Sequence, residues 1–151
     1  MAKTVLITGG SRGIGAATAQ LAAQRGYTVC ITYLHNQAAA EAVVADITAA
    51  GRHALAIAAD VGVEHEVMRL FEHIDTHVGP ITALVNNAGI LEQQMRVDQM
   101  EAARLQRIFT TNVVGPFLCA RGRAAHVNPL WRGRWGDREC VVGGRSPGRA
   151  R

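Results

Sequence analysis

Lysine is nearly missing from this sequence: Lys3 is the only one among 16 basic residues, the rest being arginine. Tyrosine is almost as scarce, with Tyr27 and Tyr33 alone, and neither has a lysine four residues further on. The serines are Ser11 and Ser146, and no G-x-S-x-G loop surrounds either, so a nucleophilic serine triad finds no support. Three cysteines, Cys30, Cys119 and Cys140, lie far apart without a C-x-x-C pair. That fits a reducing cytoplasm and argues against a disulfide framework or a zinc site. No run of eighteen apolar residues exists, so no membrane span is expected. Met1 to Thr8 runs straight into an apolar strand pattern, which leaves no room for a signal peptide.

What is present divides into two unlike parts. Of the 151 residues, 48% are hydrophobic, enough for one domain with a real core. Residues 1–120 carry 8 basic and 10 acidic side chains, a net of −2; residues 121–151 carry 8 arginines against Asp137 and Glu139, a net of +6. The overall +4 therefore belongs to the C-terminal stretch. Such a stretch alone suggests phosphate or nucleic-acid binding. Its Arg/Gly/Pro-rich composition, with Trp131 and Trp135 set among them, shows no helical or strand period and predicts a disordered tail.

Residues 1–120 alternate strand and helix patterns. The apolar, β-branched run Thr4–Thr8 predicts a buried strand, and Thr28–Leu34, Ala54–Ala59 and Ile81–Val85 are read as the second, third and fourth strands. Between them, Ala-rich or amphipathic stretches predict helices at Gly13–Arg25 and Ala38–Ala50, stopped by Gly26 and Gly51. A third helix places Val63, Val67, Leu70, Phe71, Ile74 and Val78 on one face, and a fourth spans Asp98 to Cys119 with Leu105, Ile108, Phe109 and Val113 on one side. This order predicts an α/β fold: a Rossmann-type, doubly wound parallel sheet, incomplete at about four strands.

Between the first strand and the first helix lies Thr8-Gly9-Gly10-Ser11-Arg12-Gly13-Ile14-Gly15. Gly9 permits the tight turn, Gly13 lets backbone approach a pyrophosphate, and Gly15 allows close helix packing. The helix N-terminus then offers free N–H groups and partial positive charge. The alternative is a turn that needs glycine for its own sake; its place inside a βαβ unit favours the dinucleotide reading. An NAD site places an acid at the end of the second strand, to hold the ribose 2′-hydroxyl. Here that stretch is Thr32-Tyr33-Leu34-His35-Asn36, and the next acid is Glu41. Arg12 is placed to fork a 2′-phosphate, so NADP(H) is favoured over NAD(H). A solvated loop arginine is the plainer alternative.

These residues, with Asp60-Val61 after the third strand, Asn86-Asn87-Ala88-Gly89 after the fourth, and Asn112 in Thr111-Asn112-Val113, resemble the short-chain dehydrogenase/reductase family over residues 3–120. The resemblance is strongest to bacterial NADP(H)-dependent members such as 3-oxoacyl-carrier-protein reductases and glucose 1-dehydrogenases. It implies an oxidoreductase moving hydride between nicotinamide and a carbonyl or alcohol substrate. It implies cofactor contacts at Gly9, Ser11, Arg12, Gly13, Ile14, Gly15 and Tyr33. Asp60 and Val61 would touch the adenine, and Asn86 and Asn87 would steady the central sheet and line the cofactor channel near Ala88 and Gly89. Asn112 would be the catalytic asparagine that holds a water in the proton relay. Read plainly, Asp60 is instead a helix cap, the two asparagines loop residues, and Asn112 a polar residue on a helix surface. Glu92 to Arg96 follows the fourth strand, where the family's substrate would touch it.

The family's chemistry also needs a tyrosine as acid/base, a lysine four residues later to lower its pKa, and a serine on a fifth strand. All three are missing, so turnover by this chain is not expected. Family members form homo-oligomers through helices partly absent here. The unpaired fourth strand predicts poor stability. A codon argument offers one origin for the tail. Residues 136–143, written GGC GAT CGT GAA TGT GTC GTC GGC and shifted by one base, read A-I-V-N-V-S-S, a strand ending in the missing serine; residues 122–127 recode likewise to A-V-R-R-M. An out-of-frame tail and a genuine basic tail are the two readings, with a non-catalytic dinucleotide-binding module or a basic-tail interaction protein as functional alternatives. His73 and His77, four apart on a helix, have no third ligand spaced to join them in a metal site.

Overall fold

The computed structural model describes residues 3–126. In chain order these form β1 (Lys3–Ile7), α1 (Gly13–Gln24), β2 (Tyr27–Tyr33), α2 (Gln37–Ala49), β3 (Ala54–Ala58), α3 (Glu64–His77) and β4 (Ile81–Val85). A 3-10 turn (Val97–Gln99), α4 (Ala102–Phe109), a π-helical turn (Thr110–Val114) and α5 (Gly115–His126) follow. The four strands pair in parallel in the order β3-β2-β1-β4. The chain builds outward from β1 on one side, then crosses to place β4 on the other. A crevice consequently opens at the carboxyl ends of β1 and β4, the switch point where doubly wound sheets bind ligands.

Strand alternation sorts the side chains into two cores. Val5, Ile7, Val29 and Ile31 face α1 and α2, where Ala19, Ala23 and Ala40 let the helices approach closely and Val43 and Ile47 fill the remainder. Leu6, Cys30 and Leu84 face the other way, against Val67, Leu70, Phe71 and Ile74 of α3 and Cys119 of α5. The expected amphipathic face of α3 is thus the buried one, although Val63 and Val78 at its ends are only partly covered. Gly26 and Gly51, at φ 83° and 72°, stop α1 and α2 in the left-handed conformation that a side chain resists.

The region after β4 departs from expectation in three ways. The helix expected from Asp98 to Cys119 is broken: Met100 and Glu101 interrupt it, and its middle widens into the π turn. Pro116 stands at the exit of that turn, where it has no N–H to give to the carbonyl of Asn112 four residues back. The side expected to be apolar is turned outward, with Phe109 at 58% and Val113 at 44% exposure, while Arg104 is the buried residue of α4. Finally, the domain boundary expected at residue 120 falls inside α5, which runs on to His126. There a side chain on Gly122 would collide with Phe71, and Arg123 donates to the Thr82 carbonyl of β4 at 3.4 Å. Among the described residues no strand pairs with the outer side of β4. The tail readings for 127–151, with Trp131, Trp135, Asp137, Glu139, Cys140 and Ser146, lie outside the described residues. No described helix is long and apolar enough to cross a membrane.

Candidate cofactor-binding cleft

The loop after β1 is bolted to both neighbouring strands. The Thr8 hydroxyl oxygen accepts the N–H groups of Asn87 and Ala88, each at 3.0 Å. The Asn87 amide returns the contact, its Nδ2 donating to the carbonyls of Thr8 and Gly9 at 2.9 Å. On the β2 side, Gly9 N–H donates to the Thr32 hydroxyl at 3.0 Å and Gly10 N–H to the Thr32 carbonyl at 2.9 Å. Each loop amide that turns inward has a partner, as buried backbone requires.

The glycines have separate reasons. Gly9 and Gly13 sit at φ 66° and 56°. Gly10 packs on β2, where an added Cβ would lie 2.5 Å from Ile31. A Cβ on Gly15 would collide with the Gly9 carbonyl oxygen and lie 2.5 Å from Asn87 Nδ2, so its close packing is against the glycine loop and the loop after β4, not against the strand. Around Gly13 nothing stands within 4 Å of such a Cβ: its bare backbone faces open space, a cradle that a ligand can fill. Beside it α1 begins with no side-chain cap and no acid in its first turn, which leaves its positive end uncompensated.

That open space is a cleft of about 590 Å³. It is lined by Gly9, Arg12, Gly13, Ile14 and Gly15, by Tyr33 at the end of β2, by Asp60 and Val61 after β3, and by Asn87, Ala88 and Gly89 after β4. Three expected site residues stand outside this lining. Ser11 is partly covered within the loop. Asn86 turns away and donates to the Pro116 carbonyl at 3.3 Å. Asn112 makes a reciprocal pair with Ile90, accepting its N–H at 2.8 Å and donating to its carbonyl at 2.7 Å. Asn112 is thus no solvated surface residue, and the loop it grips lines the cleft through Ile90. Asp60 does not cap α3; its carboxylate accepts the Gly62 N–H at 2.8 Å, while Glu66 reaches back to the Asp60 N–H at 2.7 Å. Thr8, Gly10, Thr32 and Ile90 were missed. Threonines ending both strands that flank a glycine loop are the signal that marks the first three.

Charge in the cleft is one-sided near β2. Glu41, the first acid after that strand, is held by Gln37 at 2.6 Å, and the Asn36 side chain is taken up in capping α2 through the Ala39 N–H. The side chains of Arg12 and His35 line the same wall and form no hydrogen bond or ion pair among the described residues.

Among the described residues no acid/base pair completes the site. The one lysine of the chain, Lys3, lies over the ring of Tyr27 at 5.7 Å, but both begin their strands, at the end of the sheet opposite the cleft. Burial pushes the thiols of Cys30 and Cys119 up to about 12, so neither offers a thiolate. His73 and His77 stack on α3 at 4.2 Å, with His77 Nδ1 bonded to the His73 carbonyl. Among the described residues no three metal-ligating side chains converge.

A glycine cradle, a Thr–Asn lock and a helix-borne Asn112 set around one crevice are the features that comparison with known proteins can test. The sequence profile described as short chain dehydrogenase matches residues 3–137. The chain belongs to the short-chain dehydrogenase family. The match runs past residue 120, where the resemblance was expected to end. Among short-chain dehydrogenase relatives, an uncharacterized oxidoreductase of Escherichia coli K12 is 52% identical over 116 residues, covering 77% of this chain and 47% of that protein. A 3-oxoacyl-[acyl-carrier-protein] reductase of Staphylococcus epidermidis is 37% identical over 79% of this chain and 48% of its own length. A Burkholderia cenocepacia short chain dehydrogenase, solved in complex with NADP, superposes with a TM-score of 0.78 at 38% identity, over 82% of this chain and 50% of that one. The chain spans about half the length of the relatives it matches.

Proposed function

We propose that this chain is the cofactor-holding part of an NADP(H)-dependent oxidoreductase acting on a small carbonyl or alcohol substrate, and that alone it binds NADP(H) without turnover. The observation that carries this reading is Arg12, whose side chain has no hydrogen-bond or ion-pair partner among the described residues, beside an acid-free turn after β2 at the mouth of the glycine-lined cleft. Bound in this cleft, the cofactor would supply hydride-transfer chemistry to the complete oxidoreductase of which this chain is a part. Gly13 and the open N-terminus of α1 receive the pyrophosphate, Arg12 the 2′-phosphate, and Asp60 and Val61 the adenine. Asn87 and Thr8 hold the cleft floor, Ala88 and Gly89 its wall, and Asn112 fixes that wall through Ile90. The NADP complex of the Burkholderia relative supports the choice of cofactor.

Fluorescence titration with NADPH and NADH tests the reading. NADPH binds more tightly, and Arg12→Gln removes about tenfold or more of that preference, the worth of one charge-assisted contact. Equal affinity for both cofactors overturns the NADP assignment. Steady NADPH oxidation by carbonyl compounds overturns the absence of turnover. Reading codons 115–151 in all three frames decides the origin of the tail: a continuation through V-S-S to Y-x-x-x-K marks an out-of-frame end.

A further inference from the structure

The segment after Ile90 has little apolar anchoring: Leu91 and Val97 are 84% and 82% exposed, and residues 91–99 are exposed throughout. It is held from below by α4. Arg104 is 7% exposed and its Nη2 donates to two backbone carbonyls, those of Leu91 at 3.3 Å and of Gln93. Its Nε has no hydrogen-bond partner among the described residues and stands 3.8 Å from the Glu92 carboxylate. Arg107, one turn on, forks the same carboxylate, Nε to Oε1 at 2.9 Å and Nη2 to Oε2 at 3.2 Å. Between these contacts Glu92 takes φ 57°, the only positive φ of a non-glycine among the described residues. Left-handed backbone at such a residue persists only when its surroundings hold it. Here it turns the carbonyls of Leu91 and Gln93 toward a single guanidinium.

We propose that Arg104, Arg107 and Glu92 are positioning residues for the cleft: together they fix the path of the loop so that Ile90 meets Asn112. One helical stretch grips one loop at two adjacent stations. Asn112 holds Ile90, and the arginines hold residues 91–93. Releasing the outer station frees the inner one to swing, because only one residue separates Ile90 from Glu92. The clamp also walls a second space of about 980 Å³ that opens from the first and shares Arg12, Asp60, Gly89 and Ile90 with it. Arg107 holds the Glu92 carboxyl below the usual carboxylate range, as a pair of this geometry requires.

This inference rests on the cofactor reading for its consequence but not for its first readout. Hydrogen exchange at the Ile90 amide, which Asn112 accepts, reports the grip directly. Glu92→Gln and Arg107→Glu each speed that exchange by about threefold or more. They weaken NADPH binding by a similar factor, and the melting temperature hardly moves. Arg107→Lys, which keeps a cation against the Glu92 carboxylate without setting a second one beside Arg104, recovers part of both readouts relative to Arg107→Glu, which a loss of generic packing would not allow. Unchanged Ile90 exchange in both single variants, or an Arg107→Lys variant as loose as Arg107→Glu, overturns the proposal. Should the wild-type chain bind no NADPH, the cofactor reading fails, and the exchange data still decide the clamp.

Discussion

Two of the loops that border the cleft are secured by opposite means. The β1–α1 loop is fixed by atoms that cannot be moved: missing Cβ groups and backbone amides locked by Thr8, Thr32 and Asn87. The β4–α4 loop is fixed by long, charged side chains gripping an exposed chain. The first kind of fixation is stiff, insensitive to salt and intolerant of substitution. The second is adjustable, because exposed ion pairs are screened and individually weak. A site built this way has one rigid side, where phosphates would sit, and one side that can yield.

Substitutions on the rigid side carry the largest expected effects. Thr8→Val strands two partly buried N–H groups, those of Asn87 and Ala88, and costs roughly 1–3 kcal/mol, read from the urea midpoint. Gly10→Ala drives a methyl into Ile31 and costs about 1–3 kcal/mol, read the same way. Gly13→Ala meets no neighbour, so its cost is the backbone conformation alone, about 1–2 kcal/mol. Its larger effect is on NADPH affinity, because the added methyl occupies the cradle. A drop in stability for Gly13→Ala as large as that for Gly10→Ala would show that the loop is less open than described.

The yielding side responds more to conditions than to stability assays. Glu92→Gly keeps the left-handed turn but removes the carboxylate, so the melting temperature stays put while Ile90 exchange speeds up. The pH response has a definite sign. The Glu92 carboxyl is held down by its hydrogen bonds to Arg107. Its contribution is therefore complete above the ordinary carboxylate range near ~4.3 and is lost as pH falls through the lower folded value. Exchange at Ile90, corrected for its intrinsic rate, loosens below that range in the wild type and stays flat in Glu92→Gln. Identical acid profiles for the two proteins would remove Glu92 from the clamp.

The same contrast governs what the sequence discloses. Strands β1 to β4 and helices α1 to α3 lie within a residue or two of their expected limits, because β-branched runs and glycine stops act locally. Gly9 and Gly13 were legible for the same reason. Gly10 was not, since its need arises from Ile31, a residue of the neighbouring strand. After β4 the apolar period at Leu105, Ile108, Phe109 and Val113 gives a true helix, but only Ile108 of that face is partly covered and the other three are exposed. The inward residue is Arg104, whose burial depends on carbonyls eleven to thirteen positions earlier in the chain. The π turn at Thr110–Val114 was equally hidden, although Pro116 marks where an ordinary helical ladder must lose a bond.

The Thr8–Asn87 lock joins residues 79 positions apart in the chain. During synthesis β1 emerges first, yet its β4 partner and the amide that closes its glycine loop follow several seconds later at about 5–20 residues per second. Until then the central strand can pair only on its β2 side, and loop-closure entropy opposes the rest. Closure of the glycine loop and pairing of β1 with β4 are thus a single, late folding event, with the nascent edge of β1 as the surface most in need of protection from aggregation.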